Sequence, residues 1–422
     1  MKNNRKSNGS SHTNGHVNGQ GNRQALPVVI AGAGPVGCAL ALYLAQQDIP
    51  VIILEAGNDL PEDLRASTFH PPTLDLLDQL ELTEKLIPQG LLVHDYQYRD
   101  RRTNEIAKFD FTSLKDETKH PYRLQCEQFK MTRTVVELLK DYPHAEVHFN
   151  ATVKGYRRTG DIVRVLCFKD DEEVHIEGSY LIGTDGANSV VRQSSGVKFE
   201  GLTYPERFLV VSTKYPFEDA FEDLSYVNYV SDPDEWCVIL KTLGLWRVLI
   251  PTDPEAQPDQ LLSDTFIEQR LQRLAPKEEP YKIAHRTLYR VHQRVAETYR
   301  PERNVLLAGD AAHINNPLGG MGMNGGLHDA FNLAEKLTEI IKFEGDQDAL
   351  LDLYDRQRRG ICVEFIQKHT LKNKALMEAT DVDVQTARQR EFMKASVDPV
   401  LKKAFLLRTS MIDCLKDSYE IV

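Results

Sequence analysis

The stretch Gly32-Ala33-Gly34-Pro35-Val36-Gly37 decides the fold of this chain. It lies between an apolar run, residues 28–31, and an apolar helical segment, residues 38–46, so it predicts a turn from a buried strand into a helix. In such a turn the first glycine makes the tight bend, the second lets the backbone approach a pyrophosphate, and the third lets the helix pack on its strand. The free N–H groups at the start of the helix would bind the phosphates.

A second apolar run, residues 51–54, supports this interpretation because it ends at Glu55, about twenty residues after the glycine turn. An acidic side chain at this position accepts hydrogen bonds from a ribose, and Ala56 belongs to the same predicted site. The order of strand, turn, helix, strand and acid favours dinucleotide binding over a glycine-rich packing turn. An acid also argues against a bound 2′-phosphate, so the expected ligand is FAD or NAD rather than NADP.

Composition bounds the remaining possibilities. The 422 residues allow two or three domains, and a formal net charge of −11 argues against binding to nucleic acid or anionic lipid. The six cysteines have no metal-site spacing, so we expect reduced thiols in a cytoplasmic protein and no metal centre. No apolar run is long enough to span a membrane. Residues 1–24 are rich in Asn, Gly and Ser and predict a disordered leader.

The apolar patterns predict an α/β fold with an insertion. Runs of β-forming residues between 208 and 251, and a hairpin over 96–111, predict an antiparallel sheet. We therefore expect a Rossmann-like domain, an inserted substrate domain and a helical C-terminal region. The predicted boundaries are 25–95, 122–201 and 285–345 for the first, 96–121 and 202–284 for the second, and 346–422 for the third. Two further expectations are a helix over 72–86 and solvent-exposed charges at Arg356, Arg358 and Arg359.

Two more motifs follow the glycine turn, Gly183-Thr184-Asp185-Gly186 and Gly309-Asp310-Ala311-Ala312-His313. With these three motifs in this order, residues 26 to about 345 resemble the class A flavoprotein monooxygenases, the para-hydroxybenzoate hydroxylase-like FAD enzymes that hydroxylate aromatic rings. Arg65-Ala66-Ser67-Thr68 and residues 289–296 are most similar to the branch of phenol and hydroxyphenylpropionate hydroxylases. The resemblance implies that the Rossmann-like domain is a GR2-type FAD-binding domain.

The resemblance also implies roles for matching positions. Arg65 and Gln125 would contact the FAD phosphates and ribityl chain, Asp185 and Gly186 would serve both FAD and NAD(P)H, and Gly309 and Asp310 would bind the ribityl hydroxyls. The isoalloxazine ring would lie against Pro317, Gly320, Gly322, Met323 and Asn324. A helix beginning at about Met323 would direct its N-terminal dipole at the reduced flavin. His313 is expected to be a hydrogen-bonded structural residue, and His70 suggests no role.

The implied reaction uses NADH or NADPH to reduce FAD, after which O2 adds at the flavin C4a and the hydroperoxide hydroxylates a phenolic or heteroaromatic ring. Such a site must exclude water, and the antiparallel sheet would cover the flavin. Candidate substrate-pocket residues are Tyr226, Tyr229, Trp236 and Arg247 in the sheet, with Tyr289 and His292 on the strand that returns to the FAD-binding domain.

Other functions remain open at this point. The alternatives are a flavin-dependent halogenase, an FAD-dependent reductase of an unsaturated substrate and a non-catalytic flavin-binding protein. Residues 246–251 match the Trp-containing halogenase stretch only in part. Because no second Rossmann motif is present, NAD(P)H would bind transiently or a separate reductase would supply the electrons. The expected partners are a small aromatic substrate, O2 and NAD(P)H, without nucleic acid or integral membrane association. The oligomeric state is not predicted.

Overall fold

The computed structural model describes residues 26–62, 66–232, 235–378 and 381–422. The strands are, in chain order, β1 (Val28–Ala31), β2 (Val51–Leu54), β3 (Thr68–Phe69), β4 (Leu91–Val93), β5 (Asp95–Asp100), β6 (Ile106–Asp110), β7 (Arg123–Gln125), β8 (Ala145–His148), β9 (Ala151–Thr159), β10 (Ile162–Lys169), β11 (Glu172–Gly178), β12 (Tyr180–Gly183), β13 (Phe199–Thr213), β14 (Val227–Ser231), β15 (Cys237–Thr242), β16 (Leu245–Pro251), β17 (Ile283–Ala296), β18 (Val305–Leu307) and β19 (His313–Ile314). The helices are α1 (Pro35–Gln46), α2 (Pro71–Asp78), α3 (Thr83–Leu86), α4 (Gln128–Leu139), α5 (Val190–Ser194), α6 (Pro258–Leu261), α7 (Asp264–Leu274), α8 (Met321–Phe343), α9 (Gln347–Ile361), α10 (Lys368–Glu378), α11 (Val382–Val397), α12 (Pro399–Thr409) and α13 (Ile412–Glu420).

A five-stranded parallel sheet in the order β18-β12-β1-β2-β8 forms the centre of the predicted Rossmann-like domain. Its strands are short apolar runs because both faces are buried: α1 packs on one face, and a three-stranded sheet of β9, β10 and β11 packs on the other. The register pairs Ala31 with Leu54 and with Gly183, and Gly183 with Leu307. Four strands therefore end at one edge, and the three motifs and Glu55, which follow them, meet there.

An eight-stranded sheet in the order β19-β17-β13-β16-β15-β14-β5-β6 forms the second layer. It confirms the predicted antiparallel sheet and hairpin, although β5 and β14 pair in parallel. The long strands β13 and β17 pair along most of their length and connect this sheet to the region of the parallel sheet. The domain boundaries remain a prediction, and the boundary at residue 285 falls inside β17.

The helix expected over 72–86 is two helices. Between α2 and α3 the chain turns through Glu81, whose φ of 56° lies in the left-handed region and cannot continue a right-handed helix. The residues of β9 did not predict a strand, because the outer half of β9 carries exposed basic residues and lacks an alternation of apolar residues. That strand forms a three-stranded sheet with β10 and β11.

The C-terminal region is helical as predicted, with a π-helical turn, Cys362–Gln367, joining α9 to α10. The expectation that Arg358 is a solvent-exposed charge is wrong, because it lies on the buried face of α9 with Leu351 and Tyr354, at helical spacing. Its Nε donates to Asp329 Oδ1 over 2.8 Å, and both side chains are 1% exposed. Arg356 is exposed as expected. Among the helices that the structure describes, none has the length and apolarity to cross a membrane.

Candidate functional site

The first of two adjoining cavities, of about 480 Å³, opens at the carboxyl edge of the parallel sheet. It is lined by predicted residues from three separate stretches, namely Gly32, Gly34, Pro35, Val36, Glu55, Ala56, Asp185 and Gly186. Gly37 lies behind this wall, where a β-carbon would come within 2.2 Å of the Gly32 carbonyl oxygen. The third glycine of the turn therefore permits close packing of α1, as the sequence predicted.

Glu55 is fixed at the wall of this first cavity by backbone donors. Its Oε2 accepts a hydrogen bond from the Ala33 N–H over 2.8 Å, and its Oε1 accepts one from the Gly57 N–H over 2.9 Å. The carboxylate thus links the end of β2 to the glycine turn. This arrangement holds an acceptor where a ribose hydroxyl was expected.

Asp185 presents a second acceptor to the same cavity. Its Oδ2 accepts from the N–H groups of Val190 and Val191 at the start of α5, over 2.7 and 3.2 Å. Its Oδ1 is buried and has no hydrogen-bond partner in the part of the chain that the structure describes. A β-carbon added at Gly34 or Gly186 would meet no heavy atom within 4 Å. The cavity therefore combines free space with an acceptor suited to a ligand donor.

The second cavity, of about 340 Å³, lies between the loop at residues 317–323 and the eight-stranded sheet. It shares five lining residues with the first cavity, Ala66, Gln128, Asp310, Gly322 and Met323. The sheet contributes an apolar wall of Val210, Val227, Val238, Leu240, Leu249 and Val291. An elongated ligand can therefore extend from the glycine turn to a second compartment with an apolar side.

The loop at residues 317–323 ends in the first turn of α8. The helix begins at Met321, two residues before the expected Met323, and Gly320 precedes it with a φ of 66° that favours glycine. Pro317, Gly320, Gly322 and Met323 line the second cavity, and a β-carbon at Gly322 would meet nothing within 4 Å. Because the first N–H groups of a helix lack intrahelical partners, the start of α8 offers donors beside this cavity.

Asn324 was expected at the cavity wall but lies behind it. Its Nδ2 donates to the carbonyl oxygens of Thr68 and Gly320 over 2.8 and 2.7 Å, and its Oδ1 accepts from the His70 N–H over 2.9 Å. The Nε2 of His70 donates to the Gly319 carbonyl over 2.9 Å. Burial, and then Arg123, hold the pKa of His70 well below its usual value. His70 and Asn324 thus fix the loop from behind, a role that the sequence did not suggest for His70.

Gln125 and Arg65 are the two residues that we expected to contact the FAD phosphates and ribityl chain. Arg65 lies outside the described residues. Gln125 is fully buried and lines neither cavity, and its Oε1 accepts a hydrogen bond from Thr68 Oγ1 over 2.9 Å. Its Nε2 has no hydrogen-bond partner among the described residues. Gln125 thus supports Thr68, which lines the second cavity, from behind.

Four of the six candidate substrate-pocket residues, Tyr229, Arg247, Tyr289 and His292, line the second cavity. Tyr226 does not, because side chains alternate along a strand and those of Val227 and Tyr229 face the cavity. Tyr226 points to the other face, where it is 37% exposed. Trp236 packs instead against Phe208, with the ring centres 5.7 Å apart.

Arg247 forms a buried ion pair at the base of the second cavity. Its Nη2 donates to Glu127 Oε1 over 3.0 Å, and its Nη1 donates to Ser67 Oγ over 3.2 Å. Burial raises the pKa of Glu127, but Lys130 and Arg247 outweigh it and hold that pKa below its usual value. Arg247 therefore faces a carboxylate that stays ionised, and its charge is balanced within the protein.

His292 lies at the more open side of the second cavity. Its Nδ1 is 2.8 Å from Thr203 Oγ1. Burial, followed by the nearby charges of Arg294 and Arg290, lowers the pKa of His292. The neutral imidazole is thus the favoured form at neutral pH.

Arg123 and Gln128 line the cavities, although the sequence analysis did not identify them. Arg123 precedes Gln125 by two residues, a spacing that puts both on one face of β7. The strand periodicity and the predicted role of Gln125 could therefore have indicated Arg123 as a second candidate. Gln128 carries no comparable signal, because it is the first residue of an ordinary amphipathic helix.

These features of the two cavities fit FAD. The glycine turn and Glu55 suit an ADP moiety, the α8 N-terminus and the flat glycine backbone suit a flavin ring, and Asp310 lines both cavities between them. Asp185, which lines the first cavity, has a buried oxygen that a ligand donor could satisfy. Fold and site together define a flavoprotein oxidoreductase with an apolar substrate compartment.

Comparison with known proteins identifies the family. A family model described as an FAD binding domain matches residues 25–369. The chain is 34% identical over 389 residues to the para-nitrophenol 4-monooxygenase of Pseudomonas sp. (strain WBC-3), covering 90% of this chain and 94% of that protein. It is 33% identical over 351 residues to the 6-hydroxy-3-succinoylpyridine 3-monooxygenase of Pseudomonas putida, covering 82% and 87%.

The solved structures agree. The crystal structure of a p-nitrophenol 4-monooxygenase from Pseudomonas putida DLL-E4 superposes with a TM-score of 0.87 at 31% identity, covering 93% of this chain and 98% of that chain. The chain belongs to the class A FAD-dependent aromatic monooxygenases. Its cofactor is FAD and it is a flavoprotein monooxygenase, so the predicted family, fold class, cofactor and enzyme class are confirmed.

Proposed function

We propose that this enzyme hydroxylates a single-ring phenol, of about the size of nitrophenol, with O2 and a reduced nicotinamide. The relatives named above act on para-nitrophenol and on a substituted hydroxypyridine, both of which are single hydroxylated rings. The observation that carries the proposal is the second cavity, where an apolar wall faces the loop at residues 317–323. A flat aromatic ring matches that space.

The chain would hold FAD in an extended form across the two cavities. The glycine turn and the start of α1 would bind the pyrophosphate, Glu55 the ribose, and Asp310 the ribityl chain. Bound FAD supplies the electron transfer that activates O2 for insertion of one oxygen atom into the ring. The protein contributes binding and orientation of the substrate.

Water exclusion is the second contribution of the chain. Side chains of β13 to β17 close the second cavity opposite the loop, and six of them are aliphatic. Because the oxygen-activating chemistry that bound FAD would supply is quenched by water, an apolar compartment would favour transfer of oxygen to the ring. Tyr229 and Tyr289, which line this cavity, would contact the face or edge of that ring.

The reductant and the cellular location are also part of the proposal. NADH or NADPH would bind transiently against the flavin cleft, because the sequence has one glycine turn of the Rossmann type and FAD would occupy it. A cytoplasmic location is supported by the six cysteines, which are all buried free thiols in the structure.

The test is turnover with a panel of phenols. The purified protein should be yellow, and oxidation of NADH or NADPH should accelerate with a single-ring phenol such as 4-nitrophenol and yield an oxygenated product in step with reductant consumption. Reductant oxidation that gives only peroxide with every phenol would contradict hydroxylation. Halogenated product in the presence of halide, reduction of an alkene, or flavin binding without any turnover would instead support the three alternative functions.

A further inference from the structure

Arg123 is a buried cation beside the substrate compartment. It lies in β7, is 2% exposed and lines the second cavity. Its Nη2 donates to the Thr409 carbonyl over 3.3 Å, while its Nε has no hydrogen-bond partner among the described residues. The guanidinium carbon stands 4.6 Å from the centre of the Tyr96 ring and 5.3 Å from that of Phe111. Aromatic faces therefore surround this charge on the protein side.

The two buried arginines of the second cavity have different partners. Arg123 and Arg247 line the cavity, and the exposed Arg290 and the neutral His292 add no buried charge to it. Arg247 is paired with Glu127. No carboxylate of the described residues forms an ion pair with Arg123. Burial of a charge is costly, and Arg123 has a carbonyl and two aromatic rings as partners but no carboxylate among the described residues, so it is suited to bind an anion from outside the chain.

We propose that Arg123 determines substrate specificity by binding an anionic oxygen of the aromatic substrate, such as a phenolate or a ring carboxylate. The inference rests on the proposed function and adds the charge state of the substrate and the residue that recognises it. The apolar wall of the sheet contacts the ring, and Arg123 contacts the charged oxygen with a guanidinium that is already desolvated. Neutral rings of the same shape then bind less tightly.

The test compares two ligands of similar shape, 4-nitrophenolate and the neutral 4-nitroaniline. Binding to the oxidised holoenzyme, without reductant, is followed by the change in flavin absorbance at a pH above the pKa of the phenol. Arg123→Gln should weaken binding of 4-nitrophenolate about 10- to 100-fold, because a hydrogen bond to a charged group is lost. The same variant should change binding of 4-nitroaniline by less than about threefold. Arg123→Lys should restore part of the loss because it retains the charge.

Arg290 offers a matched control. It lines the same cavity but is exposed, so Arg290→Gln should change 4-nitrophenolate binding by less than about threefold. The FAD dissociation constant and the melting temperature of each variant are measured in parallel. Equal weakening of both ligands, an unchanged affinity for 4-nitrophenolate, or a parallel loss of FAD affinity would overturn the proposal, and the last outcome would assign Arg123 to the flavin.

A second measurement needs no variant. With the wild-type holoenzyme, affinity for 4-nitrophenol should rise as the pH passes upward through the ligand's own pKa, while affinity for 4-nitroaniline stays flat. The reverse trend would overturn the inference even if the Arg123 variants fail to fold. A wild-type enzyme that binds the phenolate selectively through Arg123 but forms no oxygenated product would contradict the proposed function and leave this inference intact.

Discussion

Asp329, Arg358 and His313 form a buried cluster of charged side chains behind the Gly309-Asp310 motif. Asp329 Oδ2 is 2.8 Å from His313 Nε2 and also accepts from the Gly309 N–H over 3.1 Å. Burial alone would raise the pKa of Asp329, but His313 and Arg358 hold it below its usual value. Burial alone would lower the pKa of His313, yet Cys362 and Asp329 raise it well above its usual value. His313 thus has the structural role that we expected, with Asp329 as its partner.

Replacement of Arg358 tests this cluster. Arg358→Met should lower the free energy of unfolding by about 3 kcal/mol, because it leaves the buried Asp329 carboxylate with one cation and removes the bond to α9. Urea denaturation measures the change. Arg356→Met, two residues away on the exposed face, should cost less than about 0.5 kcal/mol. Equal effects of the two substitutions would show that the Arg358 pair adds little to stability.

At the scale of elements, the glycine turn before α1 combines two different demands. Gly34 adopts a φ of −69°, which any residue tolerates, and faces open cavity. Gly37 faces the backbone of its own turn, where a β-carbon would also come within 2.6 Å of Thr184 Oγ1. One glycine therefore leaves room for the ligand, and the other leaves room for the protein.

Alanine substitutions should separate these two roles. Gly34→Ala should leave the melting temperature of the apoprotein unchanged and weaken FAD binding by at least about tenfold, because the methyl group occupies space needed by the pyrophosphate. Gly37→Ala should destabilise the apoprotein itself by about 1–3 kcal/mol through overpacking. Thermal unfolding of the apoprotein and titration with FAD check both expectations. Loss of apoprotein stability in Gly34→Ala would mean that this glycine also packs against the protein.

Elements were predictable where one local signal dominates. The runs at Val28–Ala31 and Val51–Leu54 are uniformly apolar, and the structure has strands with those bounds. Arg358 and Tyr226 do not lie where we expected them. Helical spacing indicates the buried position of Arg358, and strand alternation indicates that Tyr226 faces away from the cavity. The break at Glu81 depends on a backbone conformation that the sequence does not specify.

At the scale of the whole molecule, the site depends on contacts between distant parts of the chain. The sequence was sufficient to predict that the family motifs lie together, because the carboxyl ends of parallel strands meet at one edge of the sheet. The surroundings of Arg123 could not be predicted, since Tyr96, Phe111 and Thr409 contact it from β5, the turn after β6 and the end of α12. The substrate compartment is therefore a property of the assembled fold, while the cofactor cleft is largely a property of its motifs.

Transfer of an oxygen atom from O2 to the ring of a single-ring phenol is the central claim. The most direct measurement uses ¹⁸O2 with the FAD-loaded enzyme, reduced nicotinamide and 4-nitrophenol, and the product is analysed by mass spectrometry. We expect one ¹⁸O atom per product molecule and, in a parallel reaction with ¹⁶O2 in H2¹⁸O, none from water. Product oxygen derived from water, or reductant consumed with ¹⁸O appearing only in peroxide, would contradict it.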